Sequence, residues 1–135
     1  MKTHHAIALA IVSAIGSAAL VQGLHAQGKA PLYLITEIDV SNPEKYGQEF
    51  APKAQATIRA AGAKFVVIGG TAGVGAKPIA NVEGTPPKRI TIQAWDSLEA
   101  MKKWYDSADY QDALKIGRQY ATFRRYAVEG QQLLI

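Results

Sequence analysis

Cysteine is absent from the chain, and its three histidines, His4, His5 and His25, all precede Gln27. From Gln27 onward neither side chain occurs. That excludes Cys/His zinc sites, His- or Cys-ligated haem and the Ser-His-Asp and Cys-His catalytic arrangements. Thiol redox chemistry and disulfides go with them. Any chemistry has to come from Asp, Glu, Tyr, Lys, Arg, Ser or Thr side chains, from backbone groups or from a borrowed cofactor, and no cofactor is named by the sequence. Charge of one sign is not concentrated either. The Lys and Arg together number 15 against 11 Asp and Glu, and the longest basic runs are the pairs Lys88 with Arg89, Lys102 with Lys103, and Arg124 with Arg125. A nucleic-acid surface calls for a basic stripe or a known motif. Neither is present, so nucleic acid is not an expected partner.

Long apolar runs are confined to residues 6–21, which follow the single cation Lys2 and are interrupted only by Ser13, Gly16 and Ser17. Small residues then appear before Gln27. This is the layout of a secretory signal peptide, and the run is short of the roughly 20 apolar residues of a membrane span. The expectation is a cleaved signal at residues 1–26, a periplasmic or secreted product, and no membrane association after cleavage. Residues 27–135 then make one domain, close to the common size of roughly 100–150 residues.

Residues 32–40 (LYLITEIDV) are rich in β-branched and aromatic residues and nearly continuous in apolar character, a strand pattern. Glu37 and Asp39 share one of its faces because side chains alternate with period two. An acid at Glu37 belongs either to a polar cavity or to a solvated sheet edge. Asn42, Pro43 and Glu44 have the cap, first-turn and dipole chemistry of a helix start. Tyr46, Phe50, Ala54, Ile58 and Ala61 then make one apolar stripe, and Gly62 ends the helix. Pro52 lies in the middle and predicts a kink or break.

Residues 64–68 (KFVVI) read as a second strand and residues 89–95 (RITIQAW) as a third. Between them the run GGTAGVG at residues 69–75 resembles a phosphate loop only in its glycines. It lacks the Gly-Lys-Ser/Thr that opens a helix, and residues 79–82 look extended. A flexible connection is the better reading. In the third strand Ile90, Ile92 and Ala94 share one face. Arg89, Thr91, Gln93 and Trp95 share the other, a polar face suited to an interface, a cavity or solvent. Ser97 caps a helix with Leu98, Met101, Trp104 and Tyr105 on its apolar side. Ser107 caps a further helix over residues 108–120, with Tyr110, Ala113, Leu114, Gly117 and Ala121 on one stripe. Residues 123–129 (FRRYAVE) are the last strand.

The order strand, helix, strand, strand, split helix, strand is the ferredoxin-like βαββαβ unit, an α+β fold. Its helices cover one face of the sheet. The other face keeps apolar side chains, which predicts a sheet-to-sheet homodimer. The chain resembles domain-of-unknown-function family 1330 (DUF1330), of the dimeric α+β-barrel superfamily. The resemblance rests on residues 33–46 (YLITEIDVSNPEKY), the Gly69 and Gly70 pair, residues 87–89 (PKR) and Ser97. It continues through residues 104–107 (WYDS), Tyr110, Gln111, Arg118 and the closing residues 128–130 (VEG). Family members often carry an Arg before the Gly–Gly pair, where this chain has Ile68. The resemblance implies a homodimer with a small cleft between sheet and helices in each subunit. It supplies no reaction, and relatives in the superfamily include cofactor-free monooxygenases, isomerases and haem proteins.

Two functional expectations follow. In the first, the cleft binds a small molecule and is the seat of a cofactor-independent enzyme. Glu37 would be its general acid or base, near enough to aromatic rings to be desolvated. Tyr46, Trp104, Tyr105 and Tyr110 would shape the pocket, and Arg89 or Arg118 would hold an anionic group. In the second, the protein is a non-catalytic periplasmic homodimer acting as a binding or protein-interaction module. There the aromatic residues are core or interface, and Glu37 is a solvated strand acid. No metal site is expected in either.

Overall fold

Strand alternation decides which side chains go inside. In the computed structural model, which describes residues 29–70 and 75–132, β1 (Leu32–Val40), β2 (Lys64–Gly70), β3 (Arg89–Trp95) and β4 (Ala121–Glu129) form one sheet in the order β2-β3-β1-β4. All neighbours are antiparallel. With the helices between β1 and β2 and between β3 and β4, this is the ferredoxin-like α+β fold. Residues 31–130 make one compact unit, to which the elements below belong. The expected signal at residues 1–26 and the apolar end at residues 133–135 lie outside the described residues. Among the described residues no helix is long and apolar enough to cross a membrane.

The first helical stretch starts as its sequence predicts. Asn42 Oδ1 accepts from the Lys45 N–H at 3.1 Å, and Pro43 opens α1 (Pro43–Lys45). The expected break at Pro52 takes the form of a π-helical turn, Tyr46–Phe50, in which the Ala51 N–H reaches back to the Tyr46 carbonyl. Pro52 has no N–H to give, and its ring clashes with a carbonyl four residues back. A wider turn just upstream relieves that clash before α2 (Ala51–Ala60) continues. The turn buries Tyr46 and Phe50, so both aromatics of the predicted stripe point at the sheet. Ala61, the last member of that stripe, is exposed.

The second helical stretch is split as expected into α3 (Leu98–Tyr105) and α4 (Ala108–Tyr120). Ser97 Oγ accepts from the Ala100 N–H at 3.1 Å, and Ser107 Oγ from the Tyr110 N–H at 3.3 Å. Tyr110, Ala113, Leu114 and Gly117 are the buried stripe of α4. Gly117 is there for close packing: a Cβ would sit 2.7 Å from the Phe50 ring.

On β1, Leu32, Leu34, Thr36 and Ile38 face the helices, while Tyr33, Ile35 and Glu37 face the open side. β3 is inverted relative to an ordinary core strand. Its buried row is Arg89, Thr91, Gln93 and Trp95, and its apolar row, Ile90, Ile92 and Ala94, is on the open side. A bulge in β2 between Phe65 and Val67 turns Phe65 inward and leaves Val66 (53 %) and Val67 (40 %) exposed. Beyond β2, Lys77 pairs with Gly69 in an isolated parallel bridge at the edge of the strand, its N–H donating to the Ile68 carbonyl at 2.9 Å. Residues 79–82 join no helix and no strand ladder, and Val82 is almost fully exposed.

Candidate functional site

The inverted β3 builds the site. Its inward polar row meets Thr36 of β1, Tyr46 and Phe50 of the π-helical turn, Tyr110 of α4 and Arg125 of β4 around a cavity of about 40 Å³. That is room for a few water-sized atoms. The Arg89 guanidinium lies 5.6 Å from the Tyr46 ring centroid, a cation–π placement. Trp95 Nε1 donates to Gln93 Oε1 at 3.0 Å, which fixes the amide on the cavity wall. An Arg125 Nη donates to the Tyr110 hydroxyl, and its guanidinium carbon is 4.4 Å from the Phe123 ring centroid. No Asp or Glu lines the cavity among the described residues.

Burial raises the pKa of the Tyr110 phenol to about 12, against the opposing charge of Arg125. Burial likewise raises the Tyr46 phenol, opposed by the charge and hydrogen bond of Arg89. Both hydroxyls therefore keep their protons at neutral pH. The cavity is a set of donors: two guanidinium groups and two neutral phenols, beside the Thr36 and Thr91 hydroxyls and the Gln93 amide. Such a set stabilises negative charge on oxygen and offers little to a cation.

A second, wider space lies beside it. Between the helix-facing side of β4 and the helices α3 and α4 runs an open groove of about 840 Å³. Leu34, Leu98, Met101 and Phe123 give it apolar walls, and Lys102, Arg118 and Arg125 surround them. Phe123 and Arg125 border both spaces. Here too no carboxylate is in the lining among the described residues. Leu98 was expected on the apolar side of its helix. It is 46 % exposed because it faces this groove and not the core.

Of the residues singled out in the sequence, Tyr46, Arg89 and Tyr110 come together on the inner cavity, and Tyr105 and Arg118 on the outer groove. Trp104 lines neither. It is a core residue, stacked on Tyr110 with ring centroids 4.0 Å apart and bonded through its indole N–H to Thr57 Oγ1 at 3.1 Å. Glu37 is the departure. Thr36 and Ile38 point inward, so alternation sends Glu37 to the opposite face of the sheet, away from Tyr46, Arg89 and Tyr110. There it accepts from Arg124 at 2.9 Å and from the Tyr126 hydroxyl at 3.2 Å. The grouping of Glu37 with the aromatic pocket is therefore not the arrangement found. Arg125 was missed. The signal was present, because in residues 123–129 Phe123, Arg125 and Ala127 share a face. Gln93 and Thr91 were already grouped with Arg89 on one face of the third strand.

The family model for the domain of unknown function DUF1330 matches residues 31–131, nearly all of the described chain. The chain belongs to the DUF1330 family. No curated protein matches the sequence. Solved structures share the fold. A protein of unknown function from Rhodopseudomonas palustris superposes with a TM-score of 0.58 at 13 % identity, covering 78 % of this chain and 85 % of that one. SnoaB, a cofactor-independent oxygenase from Streptomyces nogalater, gives 0.52 at 14 % identity, covering 78 % and 97 %. A conserved protein of unknown function from Bacteroides thetaiotaomicron gives 0.50 at 13 %, covering 76 % and 99 %. At these identities the likeness establishes the fold and not the activity.

Proposed function

We propose that this DUF1330 protein is a secreted or periplasmic homodimer, its mature domain spanning residues 27–135, that binds a small molecule between its sheet and its helices. One observation carries the ligand reading: the inward row of β3 is Arg89, Thr91 and Gln93, arranged around a cavity. Burying polar side chains is less favourable than burying apolar ones of similar size, and this row faces a cavity where a ligand's polar atoms can meet its donors. A strand selected for stability alone would carry its apolar row, Ile90, Ile92 and Ala94, inward.

That apolar row instead joins Ile35, Val67 and Val128 on the open face. A two-fold contact requires a surface that complements itself. This face offers apolar side chains around a Glu37–Arg124 pair of opposite charges, which suits a second copy of the chain. The export reading rests on the layout of residues 1–26.

In its catalytic form the reading is a cofactor-independent reaction, with the donors of the cavity holding an oxyanion on the ligand. The Streptomyces nogalater oxygenase is a precedent on this fold. A specific observation favours the second form, binding without turnover. The phenols of Tyr46 and Tyr110 are held protonated, and among the described residues no carboxylate lines the cavity. No lining side chain therefore takes a proton near neutral pH.

Native mass spectrometry of the protein from its own cell envelope tests the whole reading. A dimer of the cleaved chain with a retained small molecule supports it. A monomer that carries no small molecule at micromolar concentration contradicts both the dimer and the ligand.

A further inference from the structure

The inner cavity and the outer groove differ in what they supply. The cavity has dense polar chemistry in a volume of only about 40 Å³. That is too little for more than a few atoms. The groove has a volume of about 840 Å³. It falls within the size range of small-molecule pockets. Its walls are mainly apolar: Leu34, Leu98, Met101 and Phe123. Its charged residues, among those described, are all cations: Lys102, Arg118 and Arg125. The two spaces meet at Arg125 and Phe123.

We infer that the ligand is an amphipathic monoanion, a carboxylate on a compact apolar or aromatic body. The body lies in the outer groove against Leu98, Met101 and Phe123, and the carboxylate is held by Arg125 at the boundary with the cavity. This rests on the small-molecule reading above and names its ligand class. Arg125 is suited to the task. The hydrogen bond to Tyr110 and the stacking on Phe123 fix its guanidinium. A guanidinium has five N–H donors, of which Tyr110 takes one. A planar fork held in this way matches a carboxylate in two parallel hydrogen bonds. Arg118 and Lys102 are exposed at the rim. They add attraction for an anion and contribute less, because solvent screens them. A cation or a second carboxylate lodged in the groove body would meet like charge or apolar walls, which limits the class to one negative charge at one end.

The probe pair is phenylacetate and phenylacetamide, nearly identical in shape and different in charge, titrated into the full mature protein by calorimetry. The expected result is saturable binding of phenylacetate, one per chain, with the amide at least tenfold weaker. Arg125→Met should weaken phenylacetate at least tenfold. Arg118→Met, at an exposed position that does not threaten folding, should weaken it two- to threefold and leave the amide unchanged. Circular dichroism confirms that each variant is folded. An amide that binds as tightly as the acid overturns the charge assignment and leaves small-molecule binding intact. So does a folded Arg125→Met, or Arg118→Met, with unaltered phenylacetate affinity. Absence of phenylacetate binding overturns the ligand class. If native mass spectrometry also finds no retained molecule, the underlying small-molecule reading fails as well.

Discussion

Arg124 and Arg125 are neighbours in sequence and belong to opposite sides of the protein. Arg124 lies on the open face, where Glu37 neutralises it at 2.9 Å amid apolar side chains. Arg125 lies under the helices, where its partners are the Tyr110 hydroxyl and three aromatic rings, and among the described residues no carboxylate lines the spaces it borders. The same residue type is thus a paired charge on one face and, on the other, the donor that the proposed ligand would use. The two-residue period of a strand alone makes the difference. It also reassigns Glu37. In the proposed dimer, a carboxylate beside a guanidinium on the open face would fix the register of the contact between sheets, whereas the donor side has no need of it.

The two faces should differ most in stability. Trp95 is inward, 2 % exposed and bonded to Gln93. Trp95→Ala should lower the unfolding free energy by about 3–5 kcal/mol. The outward Val128→Ala should cost under about 1 kcal/mol in the isolated monomer. Urea titration of both variants measures the gap.

Next in size is an alkaline effect that is largest on the inward face. An unfolded tyrosine ionises near 10 and Tyr110 in the fold at about 12. Between those values the unfolded chain gives up its proton first. Stability that is complete below pH 10 is therefore lost as pH rises toward 12, by roughly 2–3 kcal/mol from this group. Tyr110→Phe should flatten that limb of a stability–pH curve, leaving what Tyr46, Tyr120 and Tyr126, whose phenols are also raised, contribute. An unchanged slope would mean that the phenol is not buried as described.

On the outward face, Arg124→Met should weaken the dimer tenfold or more, about 1.4 kcal/mol, as read by sedimentation. Monomer stability should move by less than about 1 kcal/mol, as for other exposed pairs. The smallest effect tests the packing that shapes the cavity. Gly117→Ala drives a methyl group into the Phe50 ring. Overpacking costs about 1–3 kcal/mol and the better helix former returns up to about 1 kcal/mol. A net loss of about 1 kcal/mol is expected from these two terms, together with weaker phenylacetate binding because Phe50 lines the cavity.

Much of the fold was legible because local chemistry and burial agree. The strand at Leu32–Val40, the strand at Arg89–Trp95 and the helix at Ala108–Tyr120 have the bounds that pattern and caps assign. Asn42, Ser97 and Ser107 cap as their positions require. The π-helical turn was legible only as a disturbance. Pro52 shows that the helix must deform, but which turn absorbs the extra residue depends on where Tyr46 and Phe50 pack. The site was half legible. Period two placed Arg89, Thr91 and Gln93 on one face, yet which face lies under the helices is a tertiary choice, and the polar row went inside. Glu37 was misgrouped for the same reason: on a nearly continuous apolar strand, either phase buries hydrophobic side chains. Arg125 went unnoticed in an Arg–Arg pair that reads as surface charge.

A division of labour between the two sheet faces is the central claim. Native mass spectrometry of three forms, wild type, Arg124→Met and Arg125→Met, each mixed with phenylacetate, reads oligomeric state and bound probe in the same spectrum. The expected result is a probe-bound dimer for wild type, a probe-bound monomer for Arg124→Met and a probe-free dimer for Arg125→Met. Loss of probe in Arg124→Met with retention in Arg125→Met, or loss of both properties together in either variant, would contradict it.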